Sequence, residues 1–311
     1  MGLRHVGFGV ETTVGTAVAP TRWLEALSES VQSEPVIASP PVLRSYSKRA
    51  IDQLHRPVKG NVEFLANYQG IGFMLKYLYG SVTSQADTPA TGFNTHSFPA
   101  TSGIPSTDRI GMALTIECRR DGSLSWRYAG CKPISWRHDM PLGDYGKINC
   151  GFLGYSEALA GPASATFPTL SPMKPVHYSA SFDGTSLAVR SGFVEINNPL
   201  DEPLGWGSTA FVAEPDRNGE MTATAQLEMY FDSTTQYAKF AAASDVDVAI
   251  AAVVSANEKI TYNIDKARIL QATPHNSGRD RLVGTFVLEG YFNTTGTENI
   301  QTVLINADTT P

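Results

Sequence analysis

The sequence predicts a mainly β fold made of two tandem modules, each a β-sandwich or barrel domain flanked by one short α-helix. Three observations predict it. Glycine (27) and proline (19) are frequent in the 311 residues, and both are disfavoured inside helices. Runs of alternating polar and apolar residues are followed by short helical runs, and this happens twice. Two strand-rich segments also overlay without gaps, the mark of an internal repeat. The length suits two medium domains, each able to bury a core.

The first strand is Lys59–Leu65 (KGNVEFL), with Val62 and Phe64 on one face and Asn61 and Glu63 on the other. The run after it places Ile71, Met74, Leu75 and Leu78 at helical spacing. Gly80 stops this short amphipathic helix. In the second half, Glu220, Thr222, Thr224, Gln226 and Glu228 alternate with Met221, Ala223, Ala225, Leu227 and Met229. Asp232 or Ser233 can then cap a helix through TTQYAKFAAAS, with Tyr237, Phe240 and Ala241 on its buried side.

Ser125–Ser156 falls on Thr261–Phe292 at a constant offset of 136. Trp126 then meets Tyr262, Lys132 meets Arg268, Ile134 meets Leu270 and Gly154 meets Gly290. Further upstream, Trp23-Leu24-Glu25 falls on Phe193-Val194-Glu195 and Gly60 on Gly219. The expected division is a first domain over 1–158 with a loop insertion at about 81–108. A proline-rich linker follows over 159–175, and a second domain over 176–311.

The formal net charge of -6 excludes a protein that grips nucleic acid through a basic surface. Cys118, Cys131 and Cys150 are an odd set without a framework spacing. They read as small buried residues of strands in a protein that folds in a reducing cytoplasm. No run approaches the roughly 20 apolar residues of a membrane span. The histidines and cysteines show no metal-ligand spacing, and GFGVETTVGT has neither phosphate-loop form, so no metal or cofactor is expected. His138-Asp139 is the one adjacent acid-base pair, but neighbours in a strand point to opposite faces, so an enzyme is not expected. Trp126, Tyr128, Trp136 and Tyr155 suit core or interface positions, with a carbohydrate-binding platform as the other reading.

The opening ETTVGTAVAPTRWLEALSES, the strand RPVKGNVEF and the helix ending LYGS resemble the tail tube proteins of long-tailed bacteriophages. The likeness is strongest over residues 8–80 and continues through Tyr128–Lys132 (YAGCK) and Ile134–Trp136 (ISW). It implies a domain that lends inner strands to a continuous barrel around a channel, in stacked rings through which the genome passes. It also implies a virion tail protein assembled in the host cytoplasm. The partners it implies are further copies, a tape measure protein, a tail terminator and distal tail proteins, with DNA in transit and no membrane. Two modules per chain favour a trimeric ring with pseudo-sixfold symmetry, a hexamer being the alternative. Asn61, Glu63, Glu220, Thr222, Thr224, Gln226 and Glu228 are the candidate channel lining, unless that stripe faces outer solvent. The charged fraction of 17% leaves much surface for burial between subunits. The alternative function is a virion β-sandwich adhesin or carbohydrate-binding module.

Overall fold

The computed structural model describes residues 4–41, 47, 48, 50–86, 90–99, 109, 111–204, 206, 213–231, 234–275, 282–291 and 300–311. The chain is mainly β, as its composition predicts. Each half is organised by one long strand that serves two layers. In the first half, Ser125–Met140 pairs through its early residues with Leu114–Arg119 and Ser156–Ala160. From Lys132 onward, through a bulge between Pro133 and Ser135, it pairs with Lys147–Gly154. In the second half, Glu258–His275 pairs first with Asp245–Ser255 and Gln301–Asn306. From Ala267 onward, through a bulge between Ile269 and Gln271, it pairs with Val283–Gly290. At the offset of 136 the ladder between each long strand and the strand after it, with the bulge inside it, coincides in the two halves.

The other pairings revise two of the expected offsets. Val58–Leu65 lies against Lys147–Gly154 as Thr222–Tyr230 lies against Val283–Gly290, an offset of 165 that puts Gly60 on Ala225 rather than Gly219. Residues 22–34 match 185–197 at an offset of 163, so Leu24 meets Leu187, and Trp23 does not meet Phe193. Aromatic likeness had suggested a register seven residues away, and an odd shift would have turned every side chain to the wrong face.

Glycine is required where Val58–Leu65 passes its neighbour. Gly60 has φ 147°, and a Cβ there would lie 2.5 Å from the Ser30 carbonyl oxygen. Gly60→Ala is therefore expected to lower subunit stability by about 2–4 kcal/mol, through strain and forced separation of two strands. Chemical denaturation of the dissociated subunit reads this directly. A loss below about 1 kcal/mol would mean that the strands part freely.

The first helix, Gly72–Tyr79, ends as predicted at Gly80, which is left-handed (φ 80°) and donates its N–H to the Lys76 carbonyl. It is not amphipathic. Phe73, Tyr77 and Tyr79 are buried along with Met74, Leu75 and Leu78, because several elements close over the helix: Phe73 packs on Phe8 and under Arg22, and Tyr79 packs on Phe98. The Tyr79 hydroxyl bonds Thr302 Oγ1 at 2.8 Å, and a Cβ on Gly72 would collide with Pro311. The second helix, Thr235–Ala241, buries none of its residues. Phe240 packs partly on the core, whereas Tyr237 and Ala241 are exposed, contrary to expectation. Asp232 and Ser233 lie outside the described residues, and Thr234 takes the N-cap without a side-chain bond.

The insertion expected over 81–108 is not all loop. Thr83–Ala86 and Asn94–Phe98 form a hairpin, and the second of these strands pairs with Gln301–Asn306. Asn94 and His96 are buried polar residues bonded to the Asp308 carbonyl, so the strand lacks an obvious apolar stripe. The connector is extended and tied to the first half through Tyr68 to Ser171, Met173 to Ala66 and Gly146 to Met173.

Candidate functional site

The two halves share one sheet. Residues 135–140 of the first long strand pair antiparallel with 192–197 of Val189–Asn197, and this joins the modules edge to edge. In spatial order the sheet runs through Ala26–Glu29 with Gln32–Ser33, then Val58–Leu65, Lys147–Gly154 and Ser125–Met140. It continues through Val189–Asn197, Thr222–Tyr230, Val283–Gly290 and Glu258–His275. One face is buried by Val62, Phe64, Trp136, Ile148, Val194 and Leu288, in one core with the first helix, Phe240 of the second, and residues of Leu114–Arg119, Asp245–Ser255 and Gln301–Asn306.

The opposite face is polar. A single row of directly opposed residues crosses seven strands: Ser28, Glu63, Asn149, Arg137, Glu195, Thr224 and Glu289. Six of the seven sequence-predicted lining residues belong to this face: Asn61, Glu63, Thr222, Thr224, Gln226 and Glu228. In the observed register Asn61 corresponds to Gln226 and Glu63 to Glu228. Glu220 is exposed, but it precedes the strand and takes no place in the ladder. Sequence reasoning missed Arg137, Asn149, Glu195 and Glu289. The bulge at Pro133–Ser135 interrupts the alternation that would have flagged Arg137; in VEIN and FVLEG the alternation itself was legible.

Basic side chains on and beside this face are held by carboxylates. Arg137 bonds Asp139 Oδ1 at 2.9 Å and Glu195 Oε2 at 3.3 Å, and its guanidinium lies 3.7 Å from the centre of the Phe193 ring. Arg190 pairs with Glu228 at 3.1 Å, Lys147 with Asp144 at 2.8 Å and Arg268 with Asp245 at 2.5 Å. A cation already satisfied in this way attracts a passing phosphate less than a free one.

Beneath the face lies a buried polar cluster. His138 is fully buried between Tyr262 and Tyr178, with Nδ1 3.1 Å from one hydroxyl and Nε2 3.2 Å from the other. The Trp136 indole N–H donates to the Tyr262 hydroxyl at 3.1 Å. Desolvation pulls the His138 pKa down to about 3, so the ring is neutral. Asp139 points to the other face, as alternation requires, and the pair shares no chemistry. Trp136 and Tyr128 are buried, Trp126 lies under Arg120 and Tyr155 packs on Gly130, so the four aromatics form no common binding platform. The thiols of Cys118, Cys131 and Cys150 are all free and buried in strands, and burial raises their pKa values.

The ETTVG opening is a structural staple. Buried Glu11 accepts hydrogen bonds from the N–H groups of Gly15 (2.7 Å) and Gly130 (2.8 Å) and from the Thr115 hydroxyl (2.8 Å). This pins the N-terminal loop to the long strand just ahead of its bulge. A family model described as phage tail tube protein matches residues 3–291.

The chain belongs to the phage tail tube protein family. No curated protein matches it. Membership makes this a structural tail protein and a component of the virion tail. The family implies self-assembly into a tube with other tail proteins. In a phage tail tube protein, a sheet with one covered face, one bare polar face and two ends is the natural place to look for the tube wall.

Proposed function

We propose that copies of this chain close into rings whose shared sheet lines a hollow tube, and that the rings stack to carry phage DNA through the lumen. The observation behind this reading is the asymmetry of the sheet: helices and further strands cover one face, and the other is polar and bare among the described residues. In a closed cylinder the side bearing extra layers needs the larger circumference, so it goes outside and the polar face goes inside. Ring closure also removes the strand edges that would otherwise pair without limit.

The matching registers support an internal duplication, with domains over 1–158 and 176–311, and with it a trimeric ring of pseudo-sixfold symmetry. Each chain offers eight strands, so three chains offer 24. At about 4.8 Å per strand and ordinary tilt, such a barrel is roughly 45–52 Å across at the backbone. That leaves room for a duplex inside one layer of side chains. A hexamer would double it and leave the DNA unguided. The lining we assign is Asn61, Glu63, Thr222, Thr224, Gln226 and Glu228, with Arg137 held among carboxylates. DNA crosses this surface without being gripped, because phosphates meet acids and neutralised bases. A tape measure protein, a terminator and distal tail proteins complete the tail, which assembles in the host cytoplasm, where buried free thiols persist.

Concentrated purified protein should form long hollow fibres in negative stain; compact particles alone at every concentration would end this reading. Thr224→Lys with Gln226→Lys tests the lining more cleanly than replacing Glu228, which already holds Arg190. Tubes should assemble normally and release DNA several-fold more slowly. Unchanged infectivity would place this face elsewhere than the lumen.

A further inference from the structure

The junction inside the chain is a template for the contact between chains. Residues 192–197 dock on 135–140, and beside them the Asn198 N–H donates to the Ile134 carbonyl at 2.9 Å. Hydrogen-bonding groups alternate along antiparallel strands, so Trp136, His138 and Met140 face this partner. In the second half, Gln271–His275 occupies the position of 135–139. Its one edge is held by Val283–Gly290, and no strand takes the other among the described residues.

The complementary edge lies in the first half. Residues 29–34 occupy the position of 192–197. The N–H groups of Ser30 and Glu34 donate to Asn61 and Pro57, so the backbone groups of Glu29, Val31 and Ser33 turn away from Val58–Leu65, and of these Val31 is fully buried with its carbonyl held by Arg120. No strand pairs with that edge among the described residues, although Ser156–Ala160 runs close to Gln32–Ser33.

We propose that residues 29–34 of one copy pair antiparallel with residues 271–275 of the next copy, in the register the chain uses internally. Thr273 then lies opposite Gln32, Ala272 opposite Ser33 and Pro274 opposite Val31. The proposal rests on the ring reading above and names its contact.

Three features fit this occupant, a second copy of the chain. Pro274 has no N–H to offer Val31, and the Val31 carbonyl already accepts one from Arg120 at 2.5 Å, itself held by Glu29. Leu270 stands where Ile134 stands and is 52% exposed, whereas Ile134 is partly covered by the docked strand. The segment after Asn197 also reaches over the first half, where the buried Lys132 ammonium meets the Pro215 carbonyl at 2.8 Å and Glu214. The corresponding segment after Glu34 carries the hairpin Val36–Ala38 with Asp52–His55. Its Val36 (47%), Ile37 (58%) and Leu54 (46%) are exposed, and the same operation lays this apolar arm across Leu270 of the next copy.

The test is a cysteine pair, Gln32→Cys with Thr273→Cys, at a non-hydrogen-bonded position where Cα atoms lie about 4.5 Å apart, within disulfide reach. The native cysteines are buried and do not compete. Mild oxidation during assembly should give covalent multimers in a series ending at the trimer. The pair Gln32→Cys with Gln271→Cys, two residues out of register, should give far fewer. Ser33→Pro removes an outward N–H with no partner among the described residues, and should yield a subunit that melts normally but forms no tubes. Tubes without in-register cross-links, or equal cross-linking by both pairs, would overturn this contact and leave the ring reading standing. Unaltered protein that forms neither tubes nor multimers would overturn both.

Discussion

Trp136→Ala is expected to cost the subunit about 3–5 kcal/mol, the range for deleting a large buried aromatic. Trp136 is fully buried in the strand that joins the halves, opposite Cys150 on one side and Ile196 on the other. Its ring meets Phe64 edge-on at 5.9 Å, and its N–H satisfies the Tyr262 hydroxyl of the second half. The change therefore opens a cavity at the seam and removes a buried donor at once. Trp136→Phe keeps most of the packing and should lose about 1–3 kcal/mol, the cost of leaving a buried hydroxyl without its donor. Urea unfolding of the dissociated subunit measures both. A loss below about 1 kcal/mol for the alanine variant would show that the halves do not lean on this strand.

The seam was the least legible part of the sequence, although its residues were in plain view. The offset of 136 was readable from Ser125 onward because both long strands carry their bulge at the same place, so no gap was needed. The earlier strands were misaligned because loops of different length separate them, and aromatic likeness between Trp23 and Phe193 outweighed register. Local pattern found the strand at Val58–Leu65, the first helix with its glycine stop and the polar alternation around Gln226. It missed Asn94–Phe98, where two of the three inward residues, Asn94 and His96, are polar and satisfied by a chain segment more than 200 positions away. It also took the first helix for amphipathic, since only tertiary structure brings Thr302 and Pro311 onto it. Burial of polar groups by distant partners leaves no periodic trace, and the His138 cluster is the extreme case.

That cluster predicts an acid-labile subunit. Among the described residues the His138 ring nitrogens bond the hydroxyls of Tyr262 and Tyr178 alone, and desolvation pulls the pKa to about 3, against about 6.5 in the unfolded chain. The unfolded state therefore binds the proton more tightly. The contribution of neutral His138 is complete above pH 6.5 and is lost as pH falls toward 3, with a slope of about 1.4 kcal/mol per pH unit. The upper bound on that loss is on the order of 4–5 kcal/mol, comparable to the whole stability of many domains. His96 and His5 are also lowered by burial and add in the same direction. Asp121, Asp144 and Asp245 are lowered too, but they act below about pH 4, where carboxylates protonate. The loss between pH 6.5 and 4 therefore comes from histidines, His177 included, and is opposed by Asp247, whose pKa burial raises. His138→Gln keeps a polar group in the cluster but cannot titrate. Its melting temperature should fall less steeply across that window than that of the unaltered chain, even if it starts lower. Parallel curves for the two proteins would mean that His138 reaches water or a carboxylate when protonated, and the buried seam would have to be redrawn around an open one.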